Sequence, residues 1–365
     1  MAAHSHHLWP DASFDGQVRS WNDAALLADR KWDRVMGEMW PQAQREVAAE
    51  LGTAMADSIV FAPNTHDLLL RLLAACPRRS ERLRVLTSDG EFHSARRQFA
   101  RLEEDGVLEV DRVSVDPFDE FSEAFLKSAR SGKHDLIFVS QVLFGSGRLF
   151  DKVAELARLG RPEGPWVVID GYHAFMAIGS PFGATAAQSA FYLGGGYKYA
   201  MAGEGCAFLH APPGFGPRPP ITGWFAEFED LKLAPGAVGY AADANRFMGA
   251  TFDPSGLYRF NAVRAMLGSE GLTTKRISAR LESLQRRLLD SGLFASAQLL
   301  NPLDGRPHAR FLAFRTPHAK RWCSELADRN CVVDVRDDVL RVGLGLYHDE
   351  EDVDRFAGLA AELSA

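Results

Sequence analysis

The sequence predicts an α/β fold: a mostly parallel sheet with helices on both faces, followed by a smaller C-terminal α+β domain. Two observations predict it. Between residues 83 and 169, short apolar runs rich in Val, Ile and Leu alternate with helical stretches, the pattern of a parallel sheet buried on both sides. After a long helical stretch at Leu257–Leu289, the chain reads strand, helix, strand, strand, helix. The 365 residues include 41 Lys plus Arg and 48 Asp plus Glu, a net charge of −7, with 24% charged types. That is ordinary globular composition, and the acidic balance argues against a nucleic-acid or membrane-surface binder. No apolar run reaches the roughly 20 residues of a membrane helix, and the start lacks a secretory leader pattern, so a cytoplasmic protein is expected.

The first stretch reads as helix, with Trp21, Leu27, Trp32, Met36 and Met39 at mixed helical spacing. Pro41 suits the first turn of a second helix and Gly52 its C-terminal cap. Ile59–Phe61 is followed by Ala-Pro-Asn-Thr, a turn that feeds an apolar helix from Leu68 to Ala75. Leu83–Thr87, Val107–Val115, Leu136–Phe144 and Trp166–Ile169 are strand-like. Ala95–Glu104, Phe121–Ser131 and Val153–Leu159 are helical. Ala190–Leu193 and Cys206–Leu209 give further strands, and 212–220, rich in Pro and Gly, is loop. Beyond the long helix come strands at Arg310–Phe314, Cys331–Val335 and Val339–Val342, a helix at Ala319–Asp328, and a last helix capped by Asp349. This divides the chain into an N-terminal helical arm (1–50) that forms part of the small domain, a large domain (51–255) and a C-terminal small domain (256–365).

In open α/β sheets ligands sit at the carboxyl ends of the strands. Four marks fall there. Asn64-Thr65 opens a helix, where backbone N–H groups and a hydroxyl can hold an anion. Ser140 ends one strand. Asp170 ends another, with His173 three residues on, and Lys198 follows a third after Gly194-Gly195-Gly196-Tyr197. Each has an ordinary structural reading as a cap, a turn residue or a hydrogen-bonded core group. Taken together they point to one chemistry. A lysine amine in apolar surroundings has a lowered pKa and can form a Schiff base with an aldehyde, and a strand-end aspartate can pair with a protonated pyridine nitrogen. Pyridoxal phosphate needs both, plus an anion cradle.

Rival motifs fail. Tyr197 and Tyr199 flank Lys198 where a phosphate-binding P-loop needs Gly and Ser or Thr. Gly145-Ser146-Gly147 lacks the third glycine of a dinucleotide fingerprint, because position 150 is Phe. No GxSxG anchors a serine nucleophile. Cys76, Cys206, Cys323 and Cys331 form no CxxC pair, and the His4, His6 and His7 cluster has no acidic or cysteine partner nearby, so no metal site is expected; these histidines instead suit a substrate pocket.

At Asp170-Gly-Tyr-His173 and Tyr197-Lys198-Tyr199 the sequence resembles the class V branch of the fold type I pyridoxal-phosphate-dependent enzymes, and kynureninase in particular. Gly223-Trp224-Phe225, Ser140 through Arg148, and Arg341-Val342 through Tyr347 extend the resemblance over nearly the whole chain, and Ser5–Leu8 matches loosely. The resemblance implies a large domain with a seven-stranded sheet. It implies that Lys198 carries the cofactor and moves the substrate Cα proton, that Asp170 pairs with the ring nitrogen beside His173, and that Asn64 and Thr65 hold the phosphate. Phe92 is implied to stack on the ring. Ser140 and Tyr197 would hydrogen-bond the cofactor, with Tyr197 assisting acid catalysis. Trp224 and Thr251 would reach the phosphate of a second subunit's site, which implies a homodimer. Arg341 would clamp the substrate α-carboxylate, with His6 and His7 beside the substrate.

The implied activity is hydrolytic Cβ–Cγ cleavage of an amino acid such as kynurenine, or related lyase chemistry. Class V transamination is the alternative. Cysteine desulfuration is expected less, because no Cys lies between Val335 and Arg341; a non-catalytic protein that kept the fold is a further alternative. Two departures touch substrate recognition and spare the cofactor: Thr251 stands where kynureninases carry Asn, and His6-His7 stand where they carry Leu-Gly.

Overall fold

The computed structural model of the chain describes residues 1–227, 234 and 236–363. A seven-stranded sheet contains β1 (Ile59–Ala62), β2 (Leu83–Ser88), β3 (Leu108–Val113), β4 (Leu136–Ser140), β5 (Trp166–Asp170), β6 (Phe191–Gly195) and β7 (Ala207–His210), in the order β1-β7-β6-β5-β4-β2-β3. β3, β2, β4, β5 and β6 pair in parallel, while β7 runs antiparallel to both β6 and β1. The apolar runs of the sequence are the central strands: Leu136 through Val139 and Trp166 through Ile169 are all fully buried. Covering each such side chain from water contributes about 1.5–3 kcal/mol, which anchors these strands at the centre of the sheet.

A second sheet has the order β10-β11-β9-β8, all antiparallel, from β8 (Gln298–Leu299), β9 (Phe311–Arg315), β10 (Asp334–Arg336) and β11 (Val339–Gly343). The helix at Ala319–Asp328 packs on it, and the helix at Glu350–Ala361, which packs along the helix Thr274–Asp290, begins at a capping box formed by Asp349 and Asp352. The N-terminus belongs to this sheet as well. Ala2 bridges Gly343 in parallel, and Gly343 N–H donates to Met1 O at 2.9 Å. The helix at Asp11–Leu27 then packs along the helix at Ser255–Ser269.

Local chemistry explains most boundaries. Pro41 sits in the first turn of the helix Trp40–Leu51, and Gly52, at φ +73°, ends it. Several boundaries differ from the sequence reading: the strand expected at Leu136–Phe144 ends at Ser140, and two further differences have a clear local cause. The stretch Leu257–Leu289 is two helices, Ser255–Ser269 and Thr274–Asp290. Gly271 takes the left-handed conformation (φ +61°), and the Thr273 side chain accepts the Arg276 N–H to cap the second helix. The strand expected at Cys331–Val335 is shifted to Asp334–Arg336, where it pairs with β11. Among the described residues no helix is long and apolar enough to cross a membrane.

Gly171 follows Asp170 at the end of β5. A Cβ there would overlap the ring of Tyr192, which is fully buried and donates from its hydroxyl to Gln141 Oε1 at 2.9 Å. Gly171→Ala should therefore cost about 1–3 kcal/mol, read as a lowered thermal midpoint, because neither ring nor backbone has room to yield.

Candidate active site

A cavity of about 300 Å³ opens where the sheet predicts a ligand, beyond the carboxyl ends of β1, β4, β5 and β6. Its wall includes Asn64, Thr65, Phe92, Ser140, Asp170, His173, Tyr197 and Lys198. The parallel register seats Ser140 directly opposite Asp170, and Asp170 opposite Leu193. Two adjacent strand ends thus present a hydroxyl and a carboxylate side by side. At another part of the wall the helix Thr65–Ala75 begins. Asn64 caps it, its Oδ1 accepting the Asp67 N–H at 2.9 Å, and the helix start supplies backbone donors suited to an anion.

Lys198 is held among apolar and aromatic groups. Its Nζ donates to His4 O at 3.3 Å and lies 5.7 Å from the centre of the Tyr172 ring. Burial, reinforced by the Arg341 guanidinium and opposed by the Asp170 carboxylate, lowers its pKa to about 8. The amine therefore yields its free base, the form a nucleophile requires, far more readily near neutral pH than an exposed lysine does. Asp170 Oδ1 accepts the Tyr172 N–H at 3.0 Å; burial raises the carboxyl pKa, against the lowering effects of that bond and of Lys198. A cation at this carboxylate would offset the desolvation. His173 is buried, with Nδ1 3.4 Å from Tyr199 Oη, and burial holds it neutral, far below the usual histidine pKa. Tyr197 keeps its phenolic proton, because burial and then the Glu204 charge push its pKa up.

These residues fit pyridoxal phosphate. The glycines before Lys198 let the loop pack tightly against its neighbours: a Cβ on Gly195 would meet Tyr172 Oη at 2.7 Å, and one on Gly196 would meet Ala202 Cβ at 3.0 Å. The donor set is also apt, with an amine for an aldehyde, a carboxylate for a ring nitrogen and a helix start for a phosphate.

Other expected residues lie outside the cavity wall. Arg341 is buried in the layer behind Phe144, donating to Phe144 O at 2.5 Å and forming an ion pair with Asp334, its cross-strand partner. Its fork is already engaged by a carboxylate of the same chain, so a substrate carboxylate reaches it only by displacing Asp334. Asp334 also accepts from Ser5 Oγ at 2.7 Å and lies 3.5 Å from His4 Nε2. Although burial alone would raise its pKa, His4, Arg341, Ser5 and Arg336 together hold it well below the usual carboxylate range. His6 stands edge-on to the Tyr197 ring at 5.4 Å, and His7 is buried against Tyr199 and Tyr347. Trp224 Nε1 donates to Thr251 Oγ1 at 3.2 Å on the exposed surface, and neither residue lines the cavity of its own chain.

Sequence reasoning missed Tyr172, Val142 and Phe144 on the wall and Glu91 behind it. Tyr172 had a signal, since it lies inside the Asp170–His173 motif. Among the described residues no group of three His, Cys, Asp or Glu side chains is placed to hold a metal ion.

Residues 275–359 match the kynureninase C-terminal domain family. The whole chain superposes on solved cysteine desulfurases and a related lyase. An apo cysteine desulfurase from Thermococcus onnurineus NA1 is 19% identical, with a TM-score of 0.79, covering 99% of this chain and 93% of that one. The cystine C-S lyase C-DES, solved with its product cysteine persulfide, is 16% identical with a TM-score of 0.79, covering 100% and 97%. The Escherichia coli cysteine desulfurase CsdA, with 16% identity and a TM-score of 0.79, covers 100% and 95%. The chain has the fold of the kynureninase-like class V pyridoxal-phosphate enzymes. No curated protein sequence matches it. At these identities the class V likeness establishes the architecture, and the chemistry is argued from the site.

The Asp334–Arg341 pair makes a prediction independent of any ligand. Asp334→Asn leaves a buried guanidinium short of its counter-charge and should cost about 3–5 kcal/mol in chemical denaturation. Because the folded-state pKa of Asp334 is depressed, the wild-type advantage should be complete above the unfolded carboxylate value of about 4 and shrink as pH falls below it.

Proposed function

We propose that this chain is a pyridoxal-phosphate-dependent enzyme acting on an α-amino acid, with kynureninase-like cleavage of the side chain. The observation that carries the reading is the Lys198 amine and Asp170 carboxylate on one small cavity that begins at a helix N-terminus. When bound, the cofactor would supply an electron sink for bond breaking at the substrate Cα. Lys198 would hold the aldehyde carbon, and its amine is the group that would move the proton at Cα. Asp170 keeps a proton on the ring nitrogen. Phe92, 42% exposed at the mouth, covers one face of the ring, and Asn64 with Thr65 receives the phosphate. Ser140 and Tyr197 orient the ring substituents, Tyr197 as a proton donor. His173, kept neutral, packs beside the ring without adding charge. His6, edge-on to the Tyr197 ring, would face the substrate's side chain, with His7 buried behind it against Tyr199 and Tyr347. Arg341 receives the α-carboxylate once Asp334 gives way. A second copy of the chain brings Trp224 and Thr251, exposed here, to the phosphate end.

Transamination uses the same lysine and aspartate and is the alternative outcome. The cysteines argue against desulfuration. Cys206 touches the cavity but is buried, with its pKa pushed up to about 12; burial likewise raises Cys76, Cys323 and Cys331, so none is a ready thiolate. Pyridoxal phosphate added to the protein should give a yellow adduct that borohydride fixes to Lys198, found by peptide mass. Its formation should rise with pH to half its limit near 8, the amine value. Lys198→Ala should give no fixed adduct, and a colourless wild type would reject the reading. With kynurenine or 3-hydroxykynurenine, alanine plus an aryl amine marks cleavage, whereas a keto acid and a converted cofactor mark transamination.

A further inference from the structure

Behind the cavity wall lies a carboxylate that the proposed function does not use. Glu91 directly precedes Phe92 and is completely buried. Its oxygens are surrounded by donors. Oε1 accepts from Ser88 Oγ at 2.5 Å, Oε2 accepts the Ser140 N–H at 3.0 Å, and Oε2 also accepts the Ser140 hydroxyl. Ser140 is the wall residue facing Asp170 across the strand register. A buried acid placed one residue behind a cavity hydroxyl, bonded to both its amide and its oxygen, does more than fill space. A hydroxyl has one proton. While Glu91 takes that proton, Ser140 can offer the cavity only lone pairs. A neutral Glu91 would instead donate, and the Ser140 proton could turn inward.

We propose that Glu91 is a positioning residue that sets the hydrogen-bond polarity of Ser140: its carboxylate holds the Ser140 hydroxyl proton, so that the wall beside Asp170 presents an acceptor to the ring substituent next to it. The inference rests on the pyridoxal phosphate reading for the identity of that ring. Asp170, on β5, is the charged group acting on Glu91; it reinforces the burial that pushes Glu91 up to about 7, against the lowering bonds from Ser140 and Ser88. The polarity of Ser140 is thus poised to change near neutral pH.

The test is a double-mutant cycle of E91Q, S140A and E91Q/S140A, read on pyridoxal phosphate affinity and on the stability of the cofactor-free chain. A hydrogen bond of this kind is worth about 1 kcal/mol, or roughly fivefold in affinity. E91Q should weaken binding about fivefold in the wild-type background and less than about twofold once Ser140 is alanine. Equal losses in both backgrounds, or no loss, would overturn the proposal. In the cofactor-free chain, the folded pKa of Glu91 lies above its unfolded value. Wild type should therefore lose stability relative to E91Q as pH rises from about 4.5 through about 7, and the effect of E91Q should be non-additive with S140A. A gap constant with pH, or strict additivity, would overturn it. Should the wild type take up no pyridoxal phosphate, the preceding reading fails on its own, and the cofactor-free cycle still decides whether Glu91 governs Ser140.

Discussion

The site depends on keeping one lysine amine dry while a carboxylate is held close to it. The sheet makes both possible. Strands buried on both faces can end only at the rim of the core, so a polar residue at the last position of β5 and an amine just past β6 meet in a space walled by apolar and aromatic groups. Burial lowers the amine and raises the carboxyl, so both shift toward their neutral forms, and each charge partly restores the other. An aldehyde and a ring nitrogen are the partners that use both states.

Much of this was legible in the sequence because it follows from period and position. Apolar runs locate the strands, strand ends locate the ligand, and Asp170, Ser140, Asn64, Thr65 and Lys198 stand at those ends; the structure brings them onto one cavity. What escaped depends on tertiary pairing. Glu91 lies in Asp-Gly-Glu-Phe-His, which reads as a solvated turn, and only the packing of β2 against β4 buries it. Arg341 reads as a free fork, yet the pairing of β10 with β11 sets Asp334 opposite it. The break at Gly271 was outweighed by apolar spacing that continues across it.

Charge is distributed in layers around the cavity. The wall carries Asp170 and Lys198. Behind it lie the Glu91 carboxylate on one side and the Asp334–Arg341 pair, with His4, on the other. In such a low-dielectric region the two layers act on each other: Arg341, behind the wall, lowers Lys198, and Asp170, on the wall, raises Glu91. Specificity for an amino acid is then partly a matter of which internal ion pair a substrate can displace.

The N-terminal strap ties these parts together mechanically. Residues 1 and 3 are hydrogen-bonded to Gly343 of β11, while the carbonyl of His4 accepts from the Lys198 amine. Any tilt of the small sheet away from the large one must pull on that carbonyl. Opening the cleft would strip the amine of its acceptor, and closing would return it, so the reactivity of the lysine is geared to the posture of the two sheets.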